Sequence, residues 1–135
     1  MKTVKLLYYK TPILIIILTI LYLTTSCSST KSTTNSKIYK KEAVAVYYHD
    51  KYNGKPTASG ELFSNDKYTA AHKTLPFGTK LRITNLKNNK SIQVKVNDRG
   101  PFGKGRDIDL SKKAFMEIAD NKNTGLLDVK IEIVK

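Results

Sequence analysis

The stretch Val94–Ser111, VKVNDRGPFGKGRDIDLS, decides how the rest of the chain is interpreted. It begins as an alternating, strand-like run and ends at a residue suited to start a helix. Between them lie three aspartates, two arginines and three glycines. Asp98 directly follows the alternating run and precedes Arg99-Gly100-Pro101. Either Asp98 makes an Asx-type turn, or it presents a carboxylate at the end of a rigid strand for acid–base chemistry.

The segments around this stretch indicate a small, mainly β domain. Residues 42–48, 79–85, 91–96 and 126–134 alternate wholly or partly between apolar and polar side chains, as strands do. Turn-forming residues join the second and third of these segments, which predicts a hairpin. Ser111 is predicted to cap a helix whose apolar residues are Ala114, Phe115, Ile118 and Ala119. Several short strands and one helix favour a barrel or compact sheet, and barrel closure would protect the strand edges.

The N-terminus is predicted to be a signal peptide covering residues 1–26. Three lysines precede the apolar run Ile13–Leu23, and no acidic residue is present there. This run is shorter than the roughly 20 residues that a membrane-spanning helix needs. Its proportions are those of the apolar region of a secretory signal.

Cys27 is the only cysteine, so it cannot form a disulfide within the chain. Its setting, LTTSC, resembles a bacterial lipoprotein processing site, which implies lipidation of Cys27. The alternative is a free thiol after cleavage elsewhere. Ser and Thr dominate the following residues, so 27–41 is interpreted as the lipidated cysteine and a flexible tether, and 42–135 as the folded domain. We therefore expect an exported, monomeric lipoprotein that is anchored in a membrane and faces the periplasm.

The formal net charge of +13 is compatible with several anionic partners. Export argues against nucleic acid, and favours anionic lipid and the polymers of the cell wall. The two histidines, His49 and His72, do not form a cluster with metal-ligand spacing. The glycines after Asp98 do not open a helix as a dinucleotide-binding motif requires. We therefore expect neither a metal nor a cofactor.

Three polar stretches, one of them within residues 94–111, carry a resemblance to a known family. They are TASGE at 57–61, TAAHKTLPFG at 69–78 and NDRGPF at 97–102, and RDIDLS at 106–111 accompanies them. Together they closely resemble the rare lipoprotein A (RlpA) family of septal-ring lytic transglycosylases. The resemblance extends over about residues 43–134.

This resemblance implies a six-stranded double-psi β-barrel with one or two short helices. It also implies endolytic cleavage of peptidoglycan between N-acetylmuramic acid and N-acetylglucosamine, without water, leaving 1,6-anhydro ends. The implied substrate is a glycan strand that lacks stem peptides, and the cell-division machinery is a further implied partner. The alternative function is a non-catalytic or weakly catalytic, expansin-like lipoprotein that binds peptidoglycan.

The resemblance implies three catalytic residues, Asp98, Glu61 and His72. When the sugar's own hydroxyl is the nucleophile, one acid that later acts as a base is sufficient, and Asp98 is the candidate. Glu61 would orient the sugar or stabilise developing positive charge; alternatively it is a solvated charge after a turn. His72 would hydrogen-bond the acid or the substrate; alternatively it is a structural group.

Four residues are candidate substrate contacts: Asp109, Arg99, Tyr48 and Asp66. Asp109 alternatively anchors the barrel, and the ring of Tyr48 is suited to stacking on a sugar. Ser64 stands where the family commonly has an aspartate. A serine cannot carry that charge, so either Asp66 takes its place, or the position is dispensable, or the activity is weakened.

Overall fold

The computed structural model describes residues 35–135, and in this part of the chain six strands close into a barrel. The strands are β1 (Ser36–Tyr47), β2 (Thr69–Ala71), β3 (Lys80–Asn85), β4 (Ser91–Asp98), β5 (Ile108–Leu110) and β6 (Leu127–Val134). Their order around the barrel is β1, β5, β2, β4, β3 and β6. One α-helix, α1 (Lys112–Ile118), and a short 3-10 helix (Asp50–Tyr52) complete it. The expected six-stranded, mainly β architecture is confirmed.

The barrel is mixed, because two strand pairs are parallel and the others are antiparallel. β1 runs parallel to β5 and β2 runs parallel to β4. The predicted hairpin is present as β3 and β4, with Leu81 opposite Val94 and Ile83 opposite Ile92. β6 pairs with both β1 and β3 and closes the barrel.

The apolar residues of the alternating segments fill the barrel. Leu81, Ile83, Val96, Val129 and Ile131 are fully buried there. In β3, buried residues alternate strictly with exposed or half-buried ones, as its sequence predicts. Hydrophobic burial of this inward-facing set is what drives closure.

Helix α1 lies where it was predicted, but Ser111 does not cap it with its side chain. Among the described residues, the Ser111 hydroxyl donates to the carbonyl of Lys67 instead. Asn65 takes the capping role: its Oδ1 accepts the N–H of Lys112 at 2.9 Å, and its carbonyl accepts the N–H of Lys113 at 3.0 Å. The first N–H groups of a helix lack partners within the helix, and a residue distant in sequence satisfies them here.

Strand β1 begins before the boundary predicted at Glu42. Ser36 pairs with Val134 across the β1–β6 ladder, and Lys40 pairs with Ile131. Lys40 Nζ also lies 2.6 Å from Asp107 Oδ1. Residues 36–41 were assigned to the tether because they offer little apolar surface. Backbone pairing and an ion pair, which composition does not reveal, order them as strand.

The signal peptide at 1–26, Cys27 and most of the predicted tether lie outside the described residues. Within residues 35–135, no helix has the length and apolar character needed to cross a membrane.

Candidate active site

A cavity of about 600 Å³ lies beside the ends of β1 and β4 and the middle of β5. The barrel register explains why two aspartates meet there. Ala71 of β2 pairs with Asp98 of β4 on one side and with Asp109 of β5 on the other. Neighbouring strands are about 4.8 Å apart, so the backbones of the two aspartates are separated by roughly 10 Å. The side chains that line the cavity include Tyr48, Tyr52, Asp98, Arg99, Phe102, Arg106 and Asp109.

Three donors converge on the carboxylate of Asp98. Its Oδ2 accepts from the Tyr48 hydroxyl at 2.7 Å. Its Oδ1 accepts from the backbone N–H groups of Ala58 at 2.9 Å and Arg99 at 2.8 Å. Both oxygens are therefore engaged as acceptors, which is the arrangement of a carboxylate held in place for accepting a proton or stabilising positive charge.

The TASGE stretch contributes to this site through its backbone. The Thr57 N–H donates to the Glu61 carbonyl at 2.8 Å, and the Gly60 N–H donates to the Thr57 carbonyl at 2.9 Å. Gly60 has a φ of 87°, a conformation that glycine adopts without steric cost. The tight turn that results directs the Ala58 N–H at Asp98.

Tyr48 is packed so that its hydroxyl points at Asp98. Its ring centroid lies 4.4 Å from that of Phe63 and 5.8 Å from that of Tyr52. Burial, and then the hydrogen bond to Asp98, raise the pKa of the Tyr48 hydroxyl far above its usual value. Tyr48 therefore stays neutral, and its hydroxyl remains a hydrogen-bond donor to Asp98.

Asp109, unlike Asp98, is not surrounded by hydrogen-bond donors. Its side chain is only 15% exposed, and Oδ1 has no hydrogen-bond partner within residues 35–135. Arg106 Nη1 is 3.8 Å from that oxygen, beyond hydrogen-bond distance. Burial raises the pKa of Asp109; the charge of Arg106 opposes this shift and the charge of Asp98 adds to it. The surroundings of Asp109 therefore favour its protonated form.

Arg99 lines the cavity, but contacts with the protein occupy its guanidinium group. Nη1 donates to the carbonyls of His72 at 3.2 Å and Leu75 at 2.9 Å. The guanidinium carbon is 3.8 Å from the ring centroid of Phe77. Arg99 therefore fixes the loop that follows β2.

Glu61 lies outside the residues that line the cavity. Its side chain is exposed; Oε1 is 2.7 Å from Lys95 Nζ and Oε2 accepts from Asn97 Nδ2 at 3.1 Å. The hydrogen bond from Lys95, and then that from Asn97, lower the pKa of Glu61. Glu61 is thus an ionised group that holds Asn97, the residue before Asp98.

His72 belongs to a second, smaller cavity of about 200 Å³. Its Nδ1 accepts the N–H groups of Thr74 at 3.2 Å and Leu75 at 3.0 Å, so the ring proton is on Nε2. Burial, and then the charge of Arg99, lower the pKa of His72. Its backbone N–H donates to the carbonyl of Asp98 at 3.2 Å, which links the two residues through the main chain.

The Ser64 position is part of a turn. Its hydroxyl accepts the N–H of Asp66 at 3.2 Å, and its carbonyl accepts the N–H of Lys67 at 3.3 Å. An aspartate makes the same side-chain bond to a backbone N–H two residues on. Asp66 is exposed and lines a separate depression beside Asp50, so it is not brought to Asp98.

Ala58, Phe102 and Arg106 all take part in this site, although the sequence had given them no role. The Ala58 contribution is a backbone N–H and has no sequence signal. Arg106 was visible in the RDIDLS motif, but its distance to Asp109 depends on the fold. Phe102 is 87% exposed at the cavity rim, and a large aromatic residue between turn residues is a signal that was available.

The donor set offers no grouping for a metal ion. Among the described side chains, no three His, Cys, Asp or Glu residues come together in a way that would hold one.

Solved structures support the fold. An expansin of Clavibacter michiganensis, crystallised as a point mutant in complex with cellohexaose, superposes with a TM-score of 0.57 at 19% identity, covering 71% of this chain and 50% of that one. A Streptomyces papain inhibitor gives a TM-score of 0.57 at 24% identity, covering 73% and 97%. The mixed, closed barrel is a double-psi β-barrel of the expansin type.

Relatives found by sequence are more similar to this chain than these solved structures are. The endolytic peptidoglycan transglycosylase RlpA of Pasteurella multocida is 42% identical over 106 residues, which are 78% of this chain and 36% of the relative. The protein of the same name from Haemophilus influenzae is 47% identical over 104 residues, 77% of this chain and 36% of the relative. A probable member from Treponema pallidum is 51% identical over 90 residues, 67% and 28%.

The chain thus spans about a third of the length of these relatives. The model of the lytic transglycolase family matches residues 32–131, which include the whole barrel up to the middle of β6. The chain belongs to the lytic transglycolase family.

Proposed function

We propose that this chain is a lytic transglycosylase that cleaves peptidoglycan glycan between N-acetylmuramic acid and N-acetylglucosamine. The observation that carries the proposal is the pair of aspartates with unlike surroundings, Asp98 and Asp109, in one cavity. Membership of the family and the activity named for the relatives support the reaction class.

Breaking a glycosidic bond requires a proton on the departing oxygen and stabilisation of an oxocarbenium-like transition state. Hydrolases meet this need with two carboxyl groups and a water molecule. A transglycosylase replaces the water with the 6-hydroxyl of the muramoyl residue. Because that nucleophile belongs to the same sugar, it is already near the reacting carbon.

We assign the role of proton donor to Asp109 and the role of proton acceptor to Asp98. Asp109 is buried, its own Oδ1 has no hydrogen-bond partner within residues 35–135, and its pKa is raised, so it is suited to protonate the departing O4. Asp98 is held by three donors and is suited to receive the proton of the 6-hydroxyl. This assignment differs from the expectation that Asp98 is the acid.

The bonds and protons balance without water. The bond from muramoyl C1 to O4 breaks, and O4 takes the proton of Asp109. The 6-oxygen bonds to C1 and closes the 1,6-anhydro ring, and its proton passes to Asp98. Exchange with solvent then restores both carboxyl groups.

Glu61 and His72 act as positioning residues in this mechanism. Glu61 holds the side chain of Asn97, directly before Asp98 in the chain. The backbone N–H of His72 holds the carbonyl of Asp98. Both therefore fix the end of β4, from which the accepting carboxylate projects.

The preferred substrate is a strand without stem peptides. The cavity is lined by four cationic side chains, Lys51, Lys55, Arg99 and Arg106, against two carboxyl groups. Removal of a stem peptide leaves a free lactyl carboxylate on the muramoyl residue, and this negative charge suits a cavity with excess positive charge.

The test is to incubate the full chain, purified in detergent, with intact sacculi and with amidase-stripped glycan. Mass spectrometry of the released fragments should detect 1,6-anhydromuramoyl ends, more abundantly from stripped strands. Asp98→Asn and Asp109→Asn should each lower the rate by roughly 10² to 10⁴, the usual contribution of acid–base groups. Asp66→Asn is the matched control, because this carboxylate lies outside the cavity.

The possible outcomes separate the alternatives. Fragments with reducing ends would indicate hydrolysis instead. Glycan that is bound but never cut would support the expansin-like binding lipoprotein. An Asp109→Asn chain that cuts at the wild-type rate would contradict this assignment and indicate that Asp98 is the acid.

The pH profile gives a second check on Asp109. Its protonated fraction falls as the pH rises through its pKa, which burial raises above the usual aspartate range. The rate should therefore decline on the alkaline side of that pKa, and Arg106→Gln should move the decline to higher pH, since Arg106 opposes the shift. A rate that is independent of pH across this range would contradict the role.

A further inference from the structure

We propose that Arg106 is the residue that recognises the free lactyl carboxylate of a peptide-free muramoyl residue. This inference rests on the proposed substrate class and names the side chain that would select for it. A stem peptide converts the same group into a neutral amide, so one guanidinium group can distinguish the two kinds of strand.

The two arginines of the cavity differ in how much of their hydrogen-bonding capacity is available. Arg99 donates to two carbonyls and stacks on Phe77. Within the described part of the chain, the Arg106 side chain makes no hydrogen bond to the protein; its one ionic contact is the 3.8 Å approach to Asp109, and it is 40% exposed. A guanidinium group carries five N–H donors in a planar fork, so Arg106 keeps donors for a ligand.

The position of this fork depends on Gly103. A Cβ added at Gly103 would lie 2.6 Å from Arg106 Nη2 and 2.8 Å from Nε, closer than such atoms approach. The guanidinium group therefore lies directly over the Gly103 backbone. Gly103 does not have a positive φ, so it is the neighbouring guanidinium group that an alanine side chain would disturb.

The chemistry of the fork selects a carboxylate. An arginine binds a carboxylate through two parallel N–H···O bonds, whereas a sugar hydroxyl or an amide oxygen accepts without a full charge. Asp109 does not supply this pair of hydrogen bonds to Arg106, because its Oδ1 is too far for a hydrogen bond and burial favours its neutral form. A carboxylate of the ligand, bound beside Asp98 and Asp109, would accept these two hydrogen bonds from Arg106.

The test measures binding, so it does not depend on cleavage. The full chain in detergent is titrated in the cold with peptide-free glycan strands, and with the same strands after their lactyl carboxylates are converted to methylamides. Mass spectrometry after each titration verifies that the strands are intact. The wild-type chain should bind the carboxylate form roughly tenfold or more tightly, as a bidentate charged pair allows.

Four variants identify the residue. Arg106→Gln should bind both strands equally, and Arg106→Lys should recover only part of the difference, because it keeps the charge and loses the fork. Gly103→Ala keeps every charge and should reduce the difference while the melting temperature stays near that of the wild type. Lys90→Gln removes an equal charge from the exposed β3–β4 turn and should keep the full preference.

Equal binding of both strands by the wild-type chain, an undiminished preference in Arg106→Gln, or no binding of either strand would each overturn the inference. Carboxylate-dependent binding without anhydro products would instead support Arg106 while refuting the proposed transglycosylase activity. Failure of the two proposals is thus observed in separate measurements.

Discussion

At the scale of single residues, the Tyr48 hydroxyl and its ring serve different purposes. The hydroxyl donates to Asp98, and the ring packs between Phe63 and Tyr52. Tyr48→Phe should therefore keep the packing and release one oxygen of Asp98. We expect a loss of about 1 kcal/mol in the free energy of unfolding, from one hydrogen bond. The rate of anhydro-product formation should fall roughly tenfold, which corresponds to about 1.4 kcal/mol in the barrier.

Tyr52→Phe is the matched control for this experiment. Its ring is in the same aromatic group, and within the described residues its hydroxyl makes no hydrogen bond to the protein. Urea denaturation and product assays on both variants separate the hydroxyl of Tyr48 from the general effect of removing a phenol. Equal losses in the two variants would contradict the role of the Tyr48–Asp98 bond.

Ser64 gives the second residue-level prediction. Since its hydroxyl makes a turn to the Asp66 N–H, replacing it with the aspartate common in the family should only exchange one turn-forming side chain for another. Ser64→Asp should leave the rate within about twofold of wild type, well below the tenfold that about 1.4 kcal/mol represents. A tenfold or greater increase in product formation would show that position 64 contributes a charge to catalysis.

The sequence predicted part of this site. The strings around Asp98 and Asp109 are dense in polar residues, and their resemblance to the family motifs is what made both carboxyl groups candidates. It did not predict that Ala71 lies between them, since that depends on which strands become neighbours. The backbone N–H of Ala58 and the open guanidinium of Arg106 are products of the same tertiary arrangement.

At the scale of elements, helix α1 is held at both ends by asparagines from other segments. Asn65 accepts the N–H of Lys112 at the start, and Asn85 Nδ2 donates to the carbonyl of Ile118 at 2.8 Å at the end. Both asparagines are buried. A helix of two turns is marginal in water by itself, so these bonds and the burial of Phe115 maintain it.

Asn65→Ala should be costly because it removes several bonds at once. The Asn65 amide also donates to the Tyr48 carbonyl at 3.3 Å and to Asp50 Oδ1 at 2.9 Å. We expect a loss of about 2 kcal/mol or more in the free energy of unfolding, as buried polar groups lose their partners. Ser111→Ala, at the expected cap position, should cost only about 1 kcal/mol. Urea denaturation measures both, and a larger cost for Ser111→Ala would contradict this assignment of the cap.

The longer strands could be predicted from the sequence, and the shortest ones could not. The β3–β4 hairpin and β6 have enough residues to show alternation, so the sequence indicated them within two residues of their ends. β2 and β5 have three residues each, too few for any period to appear. Each of the two parallel pairs, β1–β5 and β2–β4, contains one of these short strands, which is why periodicity alone did not distinguish a barrel from a sheet.

At the scale of the whole molecule, we propose that a lipid anchor at Cys27 holds the folded domain in the periplasm, as the sequence around Cys27 predicts. Cys27→Ala removes the only thiol and so the only site for such an anchor. We expect the variant to move from the membrane fraction to the soluble fraction after cell lysis, with its glycan-cleaving rate unchanged once purified. Cys27→Ser is a second variant that keeps the side-chain size. Unchanged fractionation of both would contradict the anchor.

A chain tied to a membrane at one end and bound to wall glycan at its cavity would be a link under tension. The load would enter the barrel at Ser36, where β1 begins. Antiparallel hydrogen bonds lie perpendicular to the strands, so a pull along β1 stretches the whole β1–β6 ladder together rather than one bond after another. The early start of β1 lengthens this ladder by residues 36–41. The same pairing that orders a polar segment would thus let the domain bear force while its catalytic cavity keeps its shape.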